Sequence, residues 1–403
     1  MSERSNIQAA IQPAVVVVTF NRPEALARIL RTIATARYDG MADVPLIISV
    51  DKSVDKSDRA AVHTEVLKVA EAFEWTHGSK RIIAHRENLG LKKHVISCGD
   101  LTQEHGAAIL LEDDLLVSPE YYQYAVQALN FYGDQPKISG ISLYSYDFNE
   151  YAESRFMPLE DGFDNYFIQT ACSWGQAWTA SQWSEFKDWY ESCSSFAEGS
   201  DRLPQKLLEW SERSWKKFFI KYMILTDKYF VYPRVSLSTN SGESGANHRG
   251  SLNYQVPLQL GRRDYRFSQL ESSRSRYDGY YELEASCLRQ LNPALKAVDF
   301  ECDLYGTKLI QNVKSTHLLS IKECANAIFS YDLSLVPQEL NIAFKLPGSY
   351  FSLGKVADFS AVSERAQVAQ LKCLHKNLGW HRYQKILVQT LKDRLRKKLS
   401  LGR

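Results

Sequence analysis

The sequence predicts an α/β fold: a mostly parallel, Rossmann-like central sheet flanked by helices, with a helical C-terminal extension. Three observations predict it. Short β-branched apolar runs alternate with helical stretches over the first 110 or so residues. Each run ends in a polar or charged residue, as strands do where they emerge from a covered sheet. The last residues, 385–403, carry Leu387, Leu391, Leu395 and Leu399 at helical spacing among basic residues.

Each element has its own reason. Ala14-Val15-Val16-Val17-Val18-Thr19-Phe20 is a run suited to a strand buried on both faces. Asn21 or Arg22 is placed to cap the helix that follows, with Pro23 in its first turn and Leu26, Ile29, Leu30 and Ile33 at helical spacing. Pro45 to Val50 is a second strand, ending in Asp51. A helix spans roughly Ser57 to Phe73, a third strand runs from Arg81 to His85, and a helical stretch covers 91–104. The strand at 107–111 then meets three consecutive carboxylates, Glu112, Asp113 and Asp114. Strands joined by helices in this way wind right-handedly into a parallel sheet, whose ligand site lies at the carboxyl ends of the strands. Arg22, Asp51, Arg86 and the acidic triplet all fall at such ends.

The triplet carries the most chemistry. Ionised carboxylates inside an apolar run are costly unless a cation meets them. Hard oxygen donors suit Mg²⁺ or Mn²⁺. A solvated acidic turn is the plainer reading, and the surrounding segments decide against it.

Four segments together resemble the nucleotide-sugar glycosyltransferases of the GT-A fold. They are Val-Thr-Phe-Asn-Arg-Pro (18–23), Ser-Val-Asp-Lys-Ser (49–53), Arg-Glu-Asn-Leu-Gly-Leu-Lys (86–92) and Leu-Glu-Asp-Asp-Leu-Leu-Val-Ser-Pro-Glu-Tyr-Tyr (111–122). The first 250 residues are similar to bacterial family-2-type surface-polysaccharide transferases and, more distantly, to N-acetylglucosaminyltransferase I. Ser-Trp-Gly-Gln-Ala-Trp (173–178) resembles their acceptor-side segment, and residues 238–248 resemble their Gly-rich loop closed by a His. No counterpart is evident for residues 300–403. The division implied is a transferase domain over 1–255, a basic loop and linker over 256–300, and an extension over 301–403.

The resemblance implies roles. Asp51 would accept the N3–H of a uracil ring, while Thr19, Arg22 and Arg86 would contact the uridine or its diphosphate. Glu112 and Asp113 would lie beside sugar and ribose. In this DXD-like triplet Asp114 would bind a Mn²⁺ or Mg²⁺ ion directly, and His248 would complete the metal or diphosphate site. Trp174 and Trp178 would face the acceptor. An inverting transfer also needs a carboxylate to take the acceptor's proton. The eukaryotic relative has an Asp just after a Trp, yet Trp215 is followed here by Lys216-Lys217. Glu212 is the first candidate, then Glu209, with Asp188 and Glu185 as rivals. A solvated helix-face carboxylate is the competing reading for each.

The implied activity is transfer of a sugar, hexosyl or N-acetylhexosaminyl, from a UDP donor to a glycan or lipid-linked acceptor in surface polysaccharide synthesis. Because the expected base is missing, a non-catalytic nucleotide-sugar or carbohydrate-binding relative is the alternative. A sugar nucleotidyltransferase would need a Gly-rich loop after the first strand, and residues 19–23 contain no Gly.

Composition narrows the setting. The 403 residues are 44% hydrophobic, enough for a large core and more than one domain. Seven cysteines, scattered and never in CxxC spacing, suit a reducing cytosol. The polar opening, Met1 to Gln12, has no signal-peptide core, and no apolar run approaches a membrane span. Residues 262–276 carry five arginines and read as a mobile basic loop. Residues 385–403 hold seven basic residues against Asp393, a net of +6 that leaves about −4 for the rest of this +2 chain. Such a helix suits an anionic membrane surface, and so a cytoplasmic protein peripheral to the inner face of the membrane. Docking on the protein is the other reading. Nucleic acid is not expected, because the charge is confined to one terminus.

Overall fold

The structure, a computed structural model, describes residues 11–53, 57–193, 195–242, 254–374 and 380–400. Strand β1 (Ala14–Thr19) is buried at every position, as its valines require. Helix α1 (Pro23–Ala34) starts on Pro23 and turns Leu26, Ile29, Leu30 and Ile33 to the core. Arg22 takes its N-cap position but makes no side-chain cap, so its guanidinium is left for other partners. Next come β2 (Leu46–Val50), α2 (Ser57–Ala72) and β3 (Lys80–Ala84). The helical stretch expected over 91–104 is two helices, α3 (Gly90–Gly99) and α4 (Thr102–His105), before β4 (Ala107–Glu112). Strands β2 and β4 lie parallel on either side of β1, and β3 extends the sheet beyond β2.

The chain continues through β5 (Leu115–Val117), α5 (Tyr121–Tyr132), β6 (Ile138–Ser142) and a small hairpin of β7 (Phe148–Asn149) and β8 (Ser154–Arg155). Then follow β9 (Asn165–Ile168), β10 (Gln176–Thr179), α6 (Ala180–Ser192), α7 (Gln205–Glu209), α8 (Trp215–Thr226), β11 (Tyr229–Pro233), β12 (Ser238–Asn240) and β13 (Arg276–Tyr277). The main sheet has nine strands in the order β13-β9-β11-β6-β10-β4-β1-β2-β3. Only β10, between β4 and β6, and the β9–β11 pair run antiparallel. Because β10 is reversed, residues 173–175 before it lie at the edge where β1, β2, β4 and β6 end. Helix α6, which follows β10 through a Thr179–Gln182 capping box, begins at the opposite edge. Helix α8 ends just before β11 starts, so its first turn faces the same edge as the acidic triplet.

Residues 256–300 are not a free linker. Strand β13 pairs with β9, the Tyr132 hydroxyl donates to the Ser268 carbonyl at 2.6 Å, and Asp161 accepts from the Ser273 hydroxyl at 2.9 Å. Arg276, one of the five arginines, is buried against Glu284 at 2.9 Å. The expected mobile basic loop is thus tied to the sheet along much of its length. Helix α9 (Ala285–Leu291) leads to β14 (Phe300–Asp303), β15 (His317–Ser320), β16 (Ala327–Tyr331), α10 (Glu339–Ala343), β17 (Phe351–Lys355), α11 (Glu364–Leu374) and α12 (Trp380–Ser400). The extension is therefore helical only at its end, after a second sheet of four strands in the order β14-β15-β17-β16. Short strands with irregular patterning hid it from the sequence. One continuous buried cluster includes residues of both sheets, so no break in the core marks position 255 or 300. Among the described residues six cysteines are unpaired thiols, and no helix is long and apolar enough to cross a membrane.

Candidate active site

Thr19, Arg22 and the acidic triplet meet at the ends of β1 and β4, which are adjacent and parallel. The Thr19 hydroxyl donates to Asp113 Oδ2 at 2.7 Å. Arg22 bridges the pair, with Nη2 on Asp113 Oδ1 and Nη1 at 3.0 Å from Asp114 Oδ2. Burial works against the Arg22 charge, but Asp113 and Asp114 outweigh it and hold the guanidinium more firmly protonated. Burial raises the Asp113 carboxyl, opposed chiefly by Arg22 and Thr19. Burial, then Asp114 and Asp113, push Glu112 up to about 8, against the pull of Arg22 and Lys216.

Asp114 differs from its neighbours in one respect: its Oδ1 is buried and has no partner. A buried carboxylate oxygen without a donor is costly, and a hard divalent cation is the ligand such a donor suits. Among the described residues no cluster of three or more His, Cys, Asp or Glu stands ready to enclose an ion. One protein carboxylate, completed by substrate phosphates and water, is nevertheless the way Mg²⁺-type sites are often built. The residues fit such an ion on those terms. The Ser241 amide donates to the Asp114 carbonyl at 2.8 Å, and Gly242 follows with φ of +74°. The Gly-rich segment thus departs from the rim of the triplet. His248 and Gly245 lie outside the described residues.

Asp51 is placed differently from its expected role. Its Oδ1 accepts the Leu89 amide at 2.8 Å and the Lys52 amide at 2.9 Å. Its Oδ2 accepts the Gly90 amide at 3.0 Å and Asn88 Nδ2 at 3.4 Å. These contacts occupy the four lone-pair directions of the carboxylate. The group is 3% exposed and anchors the first turn of α3, with no acceptor to spare for a uracil N3–H. Ser49 Oγ, nearby, meets His94 Nε2 at 2.8 Å, and burial lowers the His94 imidazole to about 4. Arg86 is exposed on the loop that Asp51 holds.

The acceptor-side expectations divide. Trp174 is 4% exposed and packs on Tyr144 and Tyr254 with centroids 4.8 Å from each, at the same edge as the triplet. Trp178 is completely buried among Trp183, Trp215, Phe219 and Phe230 and is not available to an acceptor. It is the next residue but one of a short strand from Gln176, and its face is the one that α6 and α8 cover.

None of the expected bases makes a described contact with Thr19, Arg22 or the acidic triplet. Glu209 closes α7 and is exposed, and Glu212 lies in the exposed turn before α8, so neither shares a helix with Trp215. Asp188 is exposed on α6; its neighbour Lys187 binds Asp100 at the far end of α3. Glu185 pairs with Lys228 at the start of β11, again at the edge remote from the triplet. The structure instead brings in Glu150, which the sequence did not single out. It lies 3.0 Å from the buried Lys216 ammonium. A polar residue in a two-strand hairpin carries no sequence signal of that kind.

No protein-family profile matches the chain, and no curated protein does. Among solved structures, the mannosyltransferase PcManGT from Pyrobaculum calidifontis, in complex with GDP-Man and Mn²⁺, is similar at 11% identity and a TM-score of 0.32, over 56% of this chain and 57% of that one. Residues 1–349 of S. aureus TarS are similar at 11% identity and a TM-score of 0.35, over 56% of this chain and 59% of that one. GalNAc-T7 with UDP, GalNAc and Mn²⁺ is similar at 14% identity and the same TM-score of 0.35, over 56% of this chain and 43% of that one. The chain thus spans less than two thirds of each. Superpositions this loose fix neither fold nor activity, and the architecture stands on the sheet itself.

Proposed function

We propose that the chain is a nucleotide-sugar glycosyltransferase that uses a divalent cation, Mn²⁺ or Mg²⁺, with UDP the donor nucleotide that the resemblance of its motifs implies. The observation that carries the reading is the orphaned, buried Oδ1 of Asp114, beside Arg22 at the carboxyl edge of a mostly parallel sheet. Asp114 would hold the cation, which when bound supplies Lewis-acid stabilisation to the departing diphosphate. Arg22 keeps Asp113 and Asp114 from repelling each other and presents a planar fork to phosphate oxygens. Thr19 fixes the rotamer of Asp113, and Glu112 and Asp113 would be the carboxylates nearest the ribose and sugar hydroxyls. Tyr254, partly exposed and packed on the buried Trp174, offers an aromatic face on which an acceptor sugar would stack. The acceptor class consistent with this site is a glycan or lipid-linked sugar of a surface polysaccharide, with transfer by inversion. The test is a thermal-shift screen of UDP-sugars with and without Mn²⁺, followed by assay of UDP release. Stabilisation that needs both ligand and metal, together with turnover, supports an enzyme; binding without turnover supports the carbohydrate-binding alternative.

Helix α12 supports a membrane-surface location for that acceptor. Leu387 and Leu391 are 62% and 51% exposed, so these two positions of the leucine stripe are not spent on the protein's own core. Apolar residues beside lysines and arginines gain from shallow burial and from anionic headgroups together. The full-length chain should sediment with anionic liposomes at low salt and be released as salt rises. Deletion of residues 385–403 should abolish sedimentation without changing UDP–Mn²⁺ affinity. Full-length protein that stays in the supernatant at low salt refutes this location.

A further inference from the structure

Trp215 is followed by Lys216, and the structure shows what Lys216 does. The ammonium is 8% exposed in its side chain and lies above the rings of Trp210, Trp174 and Tyr146, 5.0, 5.5 and 5.6 Å from their centroids. It donates to the Tyr146 hydroxyl at 3.0 Å and to Glu150 Oε2 at 3.0 Å. Glu150 is itself only 12% exposed in its side chain. The backbone after it is fixed by the fully buried Asn149, whose Oδ1 accepts the Tyr151 and Ala152 amides at 2.9 and 3.1 Å. Glu150 is thus a carboxylate held rigidly against the aromatic wall that faces the donor edge.

Two physical points say that this pair is more than packing. Two ions removed from water gain little over apolar side chains of the same volume, so a buried pair is weak evidence for stability. The pair also lies at the donor edge of the sheet, because Lys216 is in the first turn of α8 and its ammonium lies over Trp174, just before the reversed strand β10. The other base candidates are exposed or at the far edge. Glu112, Asp113 and Asp114 are committed to the donor side.

We propose that Glu150 is the catalytic base, moved onto the β7–β8 hairpin and presented by Lys216 as a positioning residue. This rests on the glycosyl-transfer reading above. An acceptor hydroxyl at the donor edge gives its proton to a Glu150 oxygen as its own oxygen bonds to the anomeric carbon. The bond from that carbon to the diphosphate breaks on the opposite face, and its electron pair leaves with UDP. The proton on Glu150 passes to water after the product departs. Lys216 aims the Glu150 carboxylate through the 3.0 Å contact to Oε2.

The test compares wild type, Glu150→Gln, Lys216→Met and the double variant Glu150→Gln/Lys216→Met, all in the full chain. UDP release is followed from UDP-glucose, UDP-galactose and their N-acetylhexosamine counterparts with Mn²⁺, using water or supplied oligosaccharides as acceptors. Affinity for UDP with Mn²⁺ and the melting temperature are measured alongside. Glu150→Gln should lower kcat by about 10²-fold or more while UDP–Mn²⁺ affinity stays within about threefold. The double variant, which leaves no uncompensated charge, should fold like wild type and remain as slow. It decides the matter if the single variant does not fold. Turnover within threefold of wild type in Glu150→Gln, or recovery of turnover in the double variant, overturns the assignment and makes the pair structural. Wild-type protein that releases UDP from no donor overturns the transferase reading and this assignment with it.

Discussion

Strands β2 and β4 flank β1 and end at the same edge of the sheet, yet their terminal carboxylates are in opposite states. Asp51, after β2, has its lone pairs taken by three backbone amides and a side-chain amide. Asp114, two residues past β4, shares one oxygen with Arg22 and leaves the other buried and unpartnered. Both are acids at strand ends, and the sequence treats them alike. The difference teaches that a carboxylate whose hydrogen bonds are complete holds the fold, whereas one whose bonds are incomplete is waiting for something the chain does not supply.

The largest effect should therefore fall on Asp114. Asp114→Asn removes the charge but keeps the shape. It should reduce turnover by about 10³-fold, roughly 4 kcal/mol of transition-state stabilisation, with the melting temperature nearly unchanged. Metal-dependent UDP binding by calorimetry should fall in parallel. Wild-type activity in the variant, or wild-type enzyme unaffected by EDTA, refutes the metal role.

Asp51 should behave in the opposite way. Asp51→Ala strips charge-assisted bonds from the Lys52, Leu89 and Gly90 amides, at a cost of about 3 kcal/mol in unfolding free energy. Chemical denaturation measures this directly. A variant as stable as wild type but unable to bind UDP would restore the base-reading role and reverse the comparison.

The same contrast explains what was legible in the sequence. The valine run of β1, the spacing of Leu26, Ile29, Leu30 and Ile33, and the acids after the strands are local signals, and each placed its element. What failed depended on tertiary context. Trp178 lies four residues from Trp174 with nothing in the sequence to separate them; strand reversal at β10 puts one near the donor edge and the other under α6 and α8, both of them buried. Glu209 and Glu212 precede Trp215 closely enough for one helix to carry all three, but the chain is extended at Trp210 and Ser214 and separates them. Glu150 acquires its place only through Lys216, 66 residues away. The four-stranded sheet of the extension was missed because its strands are short and Ile328 and Phe329 of β16 are exposed, so no clean alternation is written there.

Glu339 tests whether an unpartnered carboxylate oxygen is enough to mark a functional site. It is buried on α10 with Oε2 unpartnered, and burial pushes its carboxyl up to about 7. Nothing cationic is among the causes of that shift, so Glu339 is read as a neutral acid inside the extension and not as a ligand. Its folded pKa lies above the ordinary value of 4.5. The native state therefore holds a proton that the unfolded chain releases. The stability it contributes is full below about pH 4.5, declines as pH rises towards 7, and levels off above that, for a total of roughly 3–4 kcal/mol. Glu339→Gln should flatten that part of the pH–stability curve and leave turnover untouched. Lost turnover with an unchanged curve would place function where the comparison denies it.

The smallest effect is expected at the carboxylates that sequence spacing favoured. Glu209, Glu212 and Asp188 are exposed, and solvent already completes their hydrogen bonds. Removing such a group takes nothing from the core and nothing from the donor edge. Glu209→Gln, Glu212→Gln and Asp188→Asn should each leave unfolding free energy within about 0.5 kcal/mol and UDP release within about twofold of wild type. Glu212 is the sharpest of the three, because it lies only three residues before Trp215 and a small rearrangement of the 210–214 turn would carry it towards the acceptor wall. If Glu212→Gln alone slows UDP release by two orders of magnitude while Glu150→Gln does not, that turn rearranges on binding and Glu212, not the buried carboxylate beside Lys216, takes the proton.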